Sequence, residues 1–163
     1  TIQADPMWWA IYSRMLWDVD TDYRQVIAEL CPLFYGPAGK SMTAFYMEMD
    51  RAILHREGPR AAGYHPNTRL EFSLEELQRG HRILQDAVEK VGGDARLLRR
   101  VDYARFAHAI LILVRIRNDS HPSDRAQAMA QQAIKDVAAL QAKYTMMVRQ
   151  STRRFLTPPG GSE

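Results

Sequence analysis

Residues 22–53 read DYRQVIAELCPLFYGPAGKSMTAFYMEMDRAI, and this stretch decides the fold. Asp22 is an N-cap residue with Gln25 three positions on, the spacing of a capping box. Behind it Tyr23, Val26, Ile27, Leu30 and Phe34 recur at three and four, the period of one apolar helix face. Pro32 is expected to distort or end the last turn, and Gly36 to supply a left-handed stop. Pro37 then opens a second helix, whose Ala38, Met42, Phe45, Met49, Ala52 and Ile53 form the cleanest stripe in the chain. Tyr35-Gly36-Pro37-Ala38 therefore reads as a helix stop and restart within four residues. Tyr35 is placed to pack its ring across that corner and offer its hydroxyl to a free carbonyl.

Outward from this pair the same signals repeat. Asp5-Pro6 starts a helix to about Trp17, in which Trp8, Trp9, Ile11, Tyr12, Met15 and Leu16 are too apolar for a solvated rod. Ser73-Leu74-Glu75-Glu76 is a capping box for a helix with Leu77, Leu84, Ala87, Val88 and Val91 inward, stopped at Gly92-Gly93. Asp94 caps the next, to about Asn118, and Ser123 caps a last one with Ala126, Ala130, Ala133, Val137, Leu140, Tyr144 and Met147 at helical spacing. Between Arg56 and Phe72 the glycines and prolines leave no period, which predicts a long irregular loop. The expectation is an all-α bundle of about six helices, a single helical domain over 1–156 with a disordered tail at 157–163. The Thr1-Ile2-Gln3 start reads as a piece of a larger protein.

The chain has 163 residues, 46% hydrophobic and 25% charged, enough for a core without disulfides or a metal. Its longest apolar run, Ala109 to Val114, is far short of the roughly 20 residues of a membrane span. One cysteine, Cys31, excludes an internal disulfide and reads as a buried small hydrophobe. Glu-x-x-His pairs, a zincin motif and a phosphate loop are all missing, so no metal or cofactor is expected. The five histidines stand singly, and Asp18, Asp20 and Asp22 lack the glycine and distal glutamate of a calcium loop. Residues 73–163 hold 15 Lys/Arg against 10 Asp/Glu. Their cluster Arg96, Arg99, Arg100, Arg105, Arg115 and Arg117 is broken by Asp94 and Asp102 and has no aromatics interleaved on an exposed face, which favours a solvated face or ion pairs to neighbouring helices over nucleic acid.

Three segments together resemble a known family. Leu16-Trp17-Asp18 is similar to its leucine-tryptophan-Asx element, Cys31 through Ala38 to its Cys…Tyr-Tyr-Gly-Pro-Ala element, and Arg100-Val101-Asp102-Tyr103-Ala104-Arg105 to its Arg-Val-x-x-Ala-Arg element. The family is a domain-of-unknown-function group of bacterial glycoside-hydrolase-like proteins related to alpha-glucuronidases. One departure is Phe34, where that family has the first tyrosine of the pair. The resemblance spans roughly residues 7–118. It implies a helical C-terminal module behind a (β/α)8 catalytic barrel on the same polypeptide, with Trp17, Tyr35, Gly36, Pro37, Arg100 and Arg105 as structural motif residues. Catalytic carboxylates would sit at the barrel's strand ends, so this chain is expected to be non-catalytic while its parent protein hydrolyses glycosides. Trp8 and Trp9 would face the barrel or a second copy in a homodimer. The 56–72 loop would bring Arg60, Tyr64 and His65 to the substrate mouth, and export to the periplasm or outside the cell follows by the same analogy. A different expectation needs no family: a free-standing helical module that binds a protein or acidic polymer through its basic second half.

Overall fold

The computed structural model describes residues 6–18, 20–54, 72–117 and 119–144, and among them it contains helix and no strand. The elements are α1 (Pro6–Trp17), α2 (Tyr23–Tyr35), a 3-10 turn (Gly36–Ala38), α3 (Gly39–Leu54), α4 (Leu74–Val91), α5 (Ala95–Arg117) and α6 (Asp124–Tyr144). The all-α bundle expected from periodicity is what forms. The 56–71 part of the predicted loop, Met147 and the 157–163 tail lie outside the described residues.

The chain divides into two compact units, with the division falling inside α5 after Arg105. In the first unit α2 packs against α1 and α3. Met7 and Ile11 of α1, Val26, Ile27, Cys31 and Tyr35 of α2, and Ala38, Met42, Phe45 and Met49 are all buried. Each large apolar side chain withdrawn from water in this way contributes roughly 1.5–3 kcal/mol. α4 buries Leu77, Leu84, Ala87 and Val91, and the first part of α5 buries Leu97, Val101 and Ala104. In the second unit α5 buries His108 to Ile110, Ile112, Leu113 and Ile116, and α6 buries Ala126, Ala133, Val137 and Leu140. Phe72 is buried there too, its carbonyl accepting from Arg115 Nε at 3.0 Å.

The expected caps at Asp22, Asp94 and Ser123 form, the first with one change. Asp22 accepts from the Arg24 backbone N–H at 2.9 Å, but Gln25 turns forward to Glu29 at 3.1 Å and closes no capping box. Asp94 accepts from Arg96 and Leu97 backbone N–H groups, and chiefly the Leu97 bond holds its carboxyl below the usual carboxylate range. Ser123 caps α6 through the Ala126 N–H at 3.3 Å. Pro32 does not end α2. The helix runs three residues past it, and the Gly36 N–H closes back on the Pro32 carbonyl. The stop comes at Gly36, whose φ of +55° suits glycine, and an added Cβ there would stand 3.0 Å from Leu97 Cδ1. Pro37 lies in the 3-10 turn, and α3 itself begins at Gly39.

Polar clamps tie α3 to its neighbours. Glu48 receives Arg79 Nε of α4 at 2.6 Å and Arg51 Nη2 at 2.7 Å, while Asp50 takes the Tyr23 hydroxyl at 2.6 Å and Arg24. Burial pushes the Glu48 pKa up, but the hydrogen bonds from Arg79 and Arg51 outweigh it and leave a net depression. A depressed carboxylate contributes its full stabilisation above the unfolded-chain value, about 4.3 for glutamate. That contribution is lost as pH falls through the lower folded value. Thermal unfolding followed by circular dichroism across the acid range checks this: Glu48→Gln should flatten the decline of Tm below about pH 5. Parallel curves for the two proteins would show that the clamp does not govern acid stability.

Candidate interaction surface

Twelve residues of α1 bury one face only. Met7 and Ile11 point inward, whereas Trp9 is 64% exposed, Tyr12 57%, Leu16 83% and Trp17 92%. Trp9, Tyr12 and Leu16 are spaced i, i+3 and i+7, so they form one stripe on the side away from Met7 and Ile11, with Trp17 beside its end. A helix apolar all round has more apolar surface than α2 alone covers, and the remainder faces out. The side chain of Trp8 lies outside the described residues. Around the stripe the polar contacts are local: Ser13 Oγ donates to the Trp9 carbonyl at 2.8 Å, and Arg14 pairs with Glu29 at 3.3 Å. Past Trp17, Asp18 accepts from the Asp20 N–H at 3.1 Å in a tight turn.

The motif residues between α2 and α3 build a corner. Tyr35 is fully buried, and its hydroxyl meets that of Tyr46 at 2.7 Å. Its ring lies edge-on to Phe34. Arg100 reaches across from α5 to the Phe34 carbonyl, donating from Nη1 at 2.5 Å. The same guanidinium sits over the Phe34 ring, 4.3 Å from the centroid. Arg105 pairs with buried Asp102 on its own helix at 2.7 Å, one turn back, and so reaches no other helix through that bond. Phe34 is thus the residue whose carbonyl and ring Arg100 uses.

Of the basic set in the second half, Arg100, Arg105 and Arg115 are held in these internal contacts, and Arg115 also pairs with Asp119 at 3.5 Å. Arg60, Tyr64 and His65, proposed for a substrate mouth, lie outside the described residues, as does His55. His81 is half-buried beside Gln85, His108 is buried and His121 is exposed, so the structure gathers none of these three into one site. Among the described residues no group of three or more His, Cys, Asp or Glu is arranged to hold a metal ion. No described helix is long and apolar enough to cross a membrane.

Fold and surface together define an all-helical scaffold that displays an aromatic stripe on its first helix. No protein-family model matches the chain, and no curated protein or solved structure is similar to it.

Proposed function

We propose that this chain is the non-catalytic helical module of a carbohydrate-active, glycoside-hydrolase-like protein. In this reading it buttresses a (β/α)8 catalytic barrel on the same polypeptide. The observation that supports it is the exposed stripe of Trp9, Tyr12 and Leu16 with Trp17 beside it. Large apolar side chains set contiguously on the exposed face of a helix mark a surface that a partner covers. The three motif segments supply the kind of partner. Of their residues, Tyr35, Gly36, Pro37 and Arg100 serve the corner between α2 and α3. Arg60, Tyr64 and His65 remain proposed contacts at the substrate mouth, and a homodimer contact through Trp8 and Trp9 is the other use of the first helix.

Reading the coding sequence upstream of Thr1 is the first test. Some 250 residues of alternating strand and helix, the size of a barrel, would sustain the proposal. A start codon beside Thr1 would overturn it. Given a barrel, Trp9→Ser with Leu16→Ser is expected to leave the Tm of this chain alone within about 2 °C, since exposed substitutions cost little. In the barrel-bearing protein, with Trp8→Phe made in both forms to remove its signal, the same pair should make the Trp17 indole several-fold more accessible to acrylamide quenching. Equal quenching in the two barrel-bearing proteins would mean that α1 does not face the barrel.

A further inference from the structure

Between α3 and α4, within the first unit, lies a cleft of about 360 Å3. It is an open surface groove rather than an enclosed pocket. Ala44 and Ile83 give it apolar lining, and Lys40, Arg82, Asp86 and Lys90 give it charge. Helical spacing explains the gathering: Arg82, Asp86 and Lys90 follow one another at i+4 along one face of α4, opposite Lys40 and Ala44 at i+4 on α3.

The single carboxylate of this group is already engaged. Asp86 Oδ2 accepts from Ser41 Oγ at 2.5 Å and from Lys90 Nζ at 2.8 Å, and Lys90 also donates to Ser41 Oγ at 3.0 Å. Ser41 is buried, so this three-membered network fixes Lys90 at the cleft wall. The other described cations of α3 and α4 each have a carboxylate: Arg51 and Arg79 share Glu48, and Lys90 has Asp86. Lys40 and Arg82 make no ion pair among the described residues. Three cations against one carboxylate leave the cleft with two uncompensated positive charges.

We propose that this cleft binds a small phosphate-bearing ligand, with Lys40 and Arg82 as its principal anchors and Lys90 as a third donor. A phosphate monoester carries close to two negative charges at neutral pH, which matches the excess, whereas a carboxylate supplies one. The guanidinium of Arg82 offers a planar fork of donors suited to two phosphate oxygens, and Lys40 adds a flexible point charge. The organic part of the ligand lies against Ala44 and Ile83. Nothing in this site depends on docking to a barrel.

Calorimetric titration of the 163-residue chain with inorganic phosphate and with phenyl phosphate, at constant ionic strength, tests the site. One saturable site is expected, with phenyl phosphate binding more tightly than inorganic phosphate and acetate more weakly than either. Lys40→Ala and Arg82→Ala should each weaken phenyl phosphate by roughly tenfold, the scale of a lost charge-assisted hydrogen bond. Both side chains are exposed or partly so, and unchanged Tm values would confirm that the variants fold. Arg96→Ala removes the same charge from α5, away from the cleft lining, and should change affinity by less than about twofold. Absence of saturable binding at millimolar phosphate overturns the proposal. So does an equal loss in Arg96→Ala, which would assign the binding to net charge, or acetate binding as tightly as phosphate.

Discussion

Gly39→Ala is expected to destabilise the chain by about 3 kcal/mol, near the upper end of the range for overpacking a tight site. A Cβ built on Gly39 stands 2.5 Å from Pro32 Cα, 2.9 Å from Pro32 N and 3.2 Å from the Cys31 carbonyl carbon. All three are backbone atoms of α2, so no side chain is available to swing aside. Helix propensity pulls the other way, because alanine in a helix is worth about 1 kcal/mol more than glycine. Steric conflict exceeds that gain, since relieving it means moving the start of α3 off the last turns of α2 and opening the corner that buries Tyr35 and Ala38. In a chain of this size the net loss corresponds to a fall in Tm of about 6–12 °C. Gly93→Ala is the matched control: nothing lies within 4 Å of its Cβ, and its Tm should stay at or slightly above that of the parent. Urea unfolding of the three proteins decides the matter, and a Gly39→Ala midpoint equal to the parent's would mean that α2 and α3 do not approach as described.

That glycine shows where sequence reading stopped. Helix number and type were legible because Met42, Phe45, Met49 and their counterparts repeat at three and four, and the structure buries them. Gly36 was legible as a stop because it follows an apolar helix and precedes a proline. Gly39 carries no such local sign. Its requirement is set by Pro32, seven residues back, and becomes visible only once the chain has turned. The polar clamps were hidden for the same reason: Glu48 and Arg79 are 31 residues apart, and nothing in their spacing pairs them. The cleft cations were individually unremarkable, and the spacing of Arg82, Asp86 and Lys90 names a face without naming what opposes it. The aromatic residues of α1 were legible as unusual, but their burial depends on how much surface α2 offers. Periodicity read the face of each helix well where one neighbour was enough, and left the inward face of α1 undecided because that helix is apolar on both sides.

Arg100→Ala is expected to cost about 2–3 kcal/mol, combining a charged hydrogen bond with a cation–π contact. The side chain does two things at once: Nη1 donates to the Phe34 carbonyl, and the guanidinium plane covers the Phe34 ring. Phe34 lies in the last turn of α2, where four carbonyls have no helical partner and each needs one from elsewhere. Arg100 answers for one of them from 66 residues away, and so ties α5 to the α2–α3 corner. Lysine at this position keeps the charge and is able to donate, but an ammonium lacks the flat face that lies on the ring and the fork that directs Nη1. Arg100→Lys should therefore recover less than half of the loss, whereas a purely electrostatic role would let it recover nearly all. Arg105→Ala tests the neighbouring motif position by a different mechanism. Removing it leaves Asp102 buried without this guanidinium, and Arg105→Lys should restore most of the loss, because one ammonium is able to pair with the single carboxylate oxygen that Arg105 Nη1 reaches. Measured together in denaturant, the two arginines should separate by their response to lysine, and equal recovery at both positions would show that one kind of interaction underlies both.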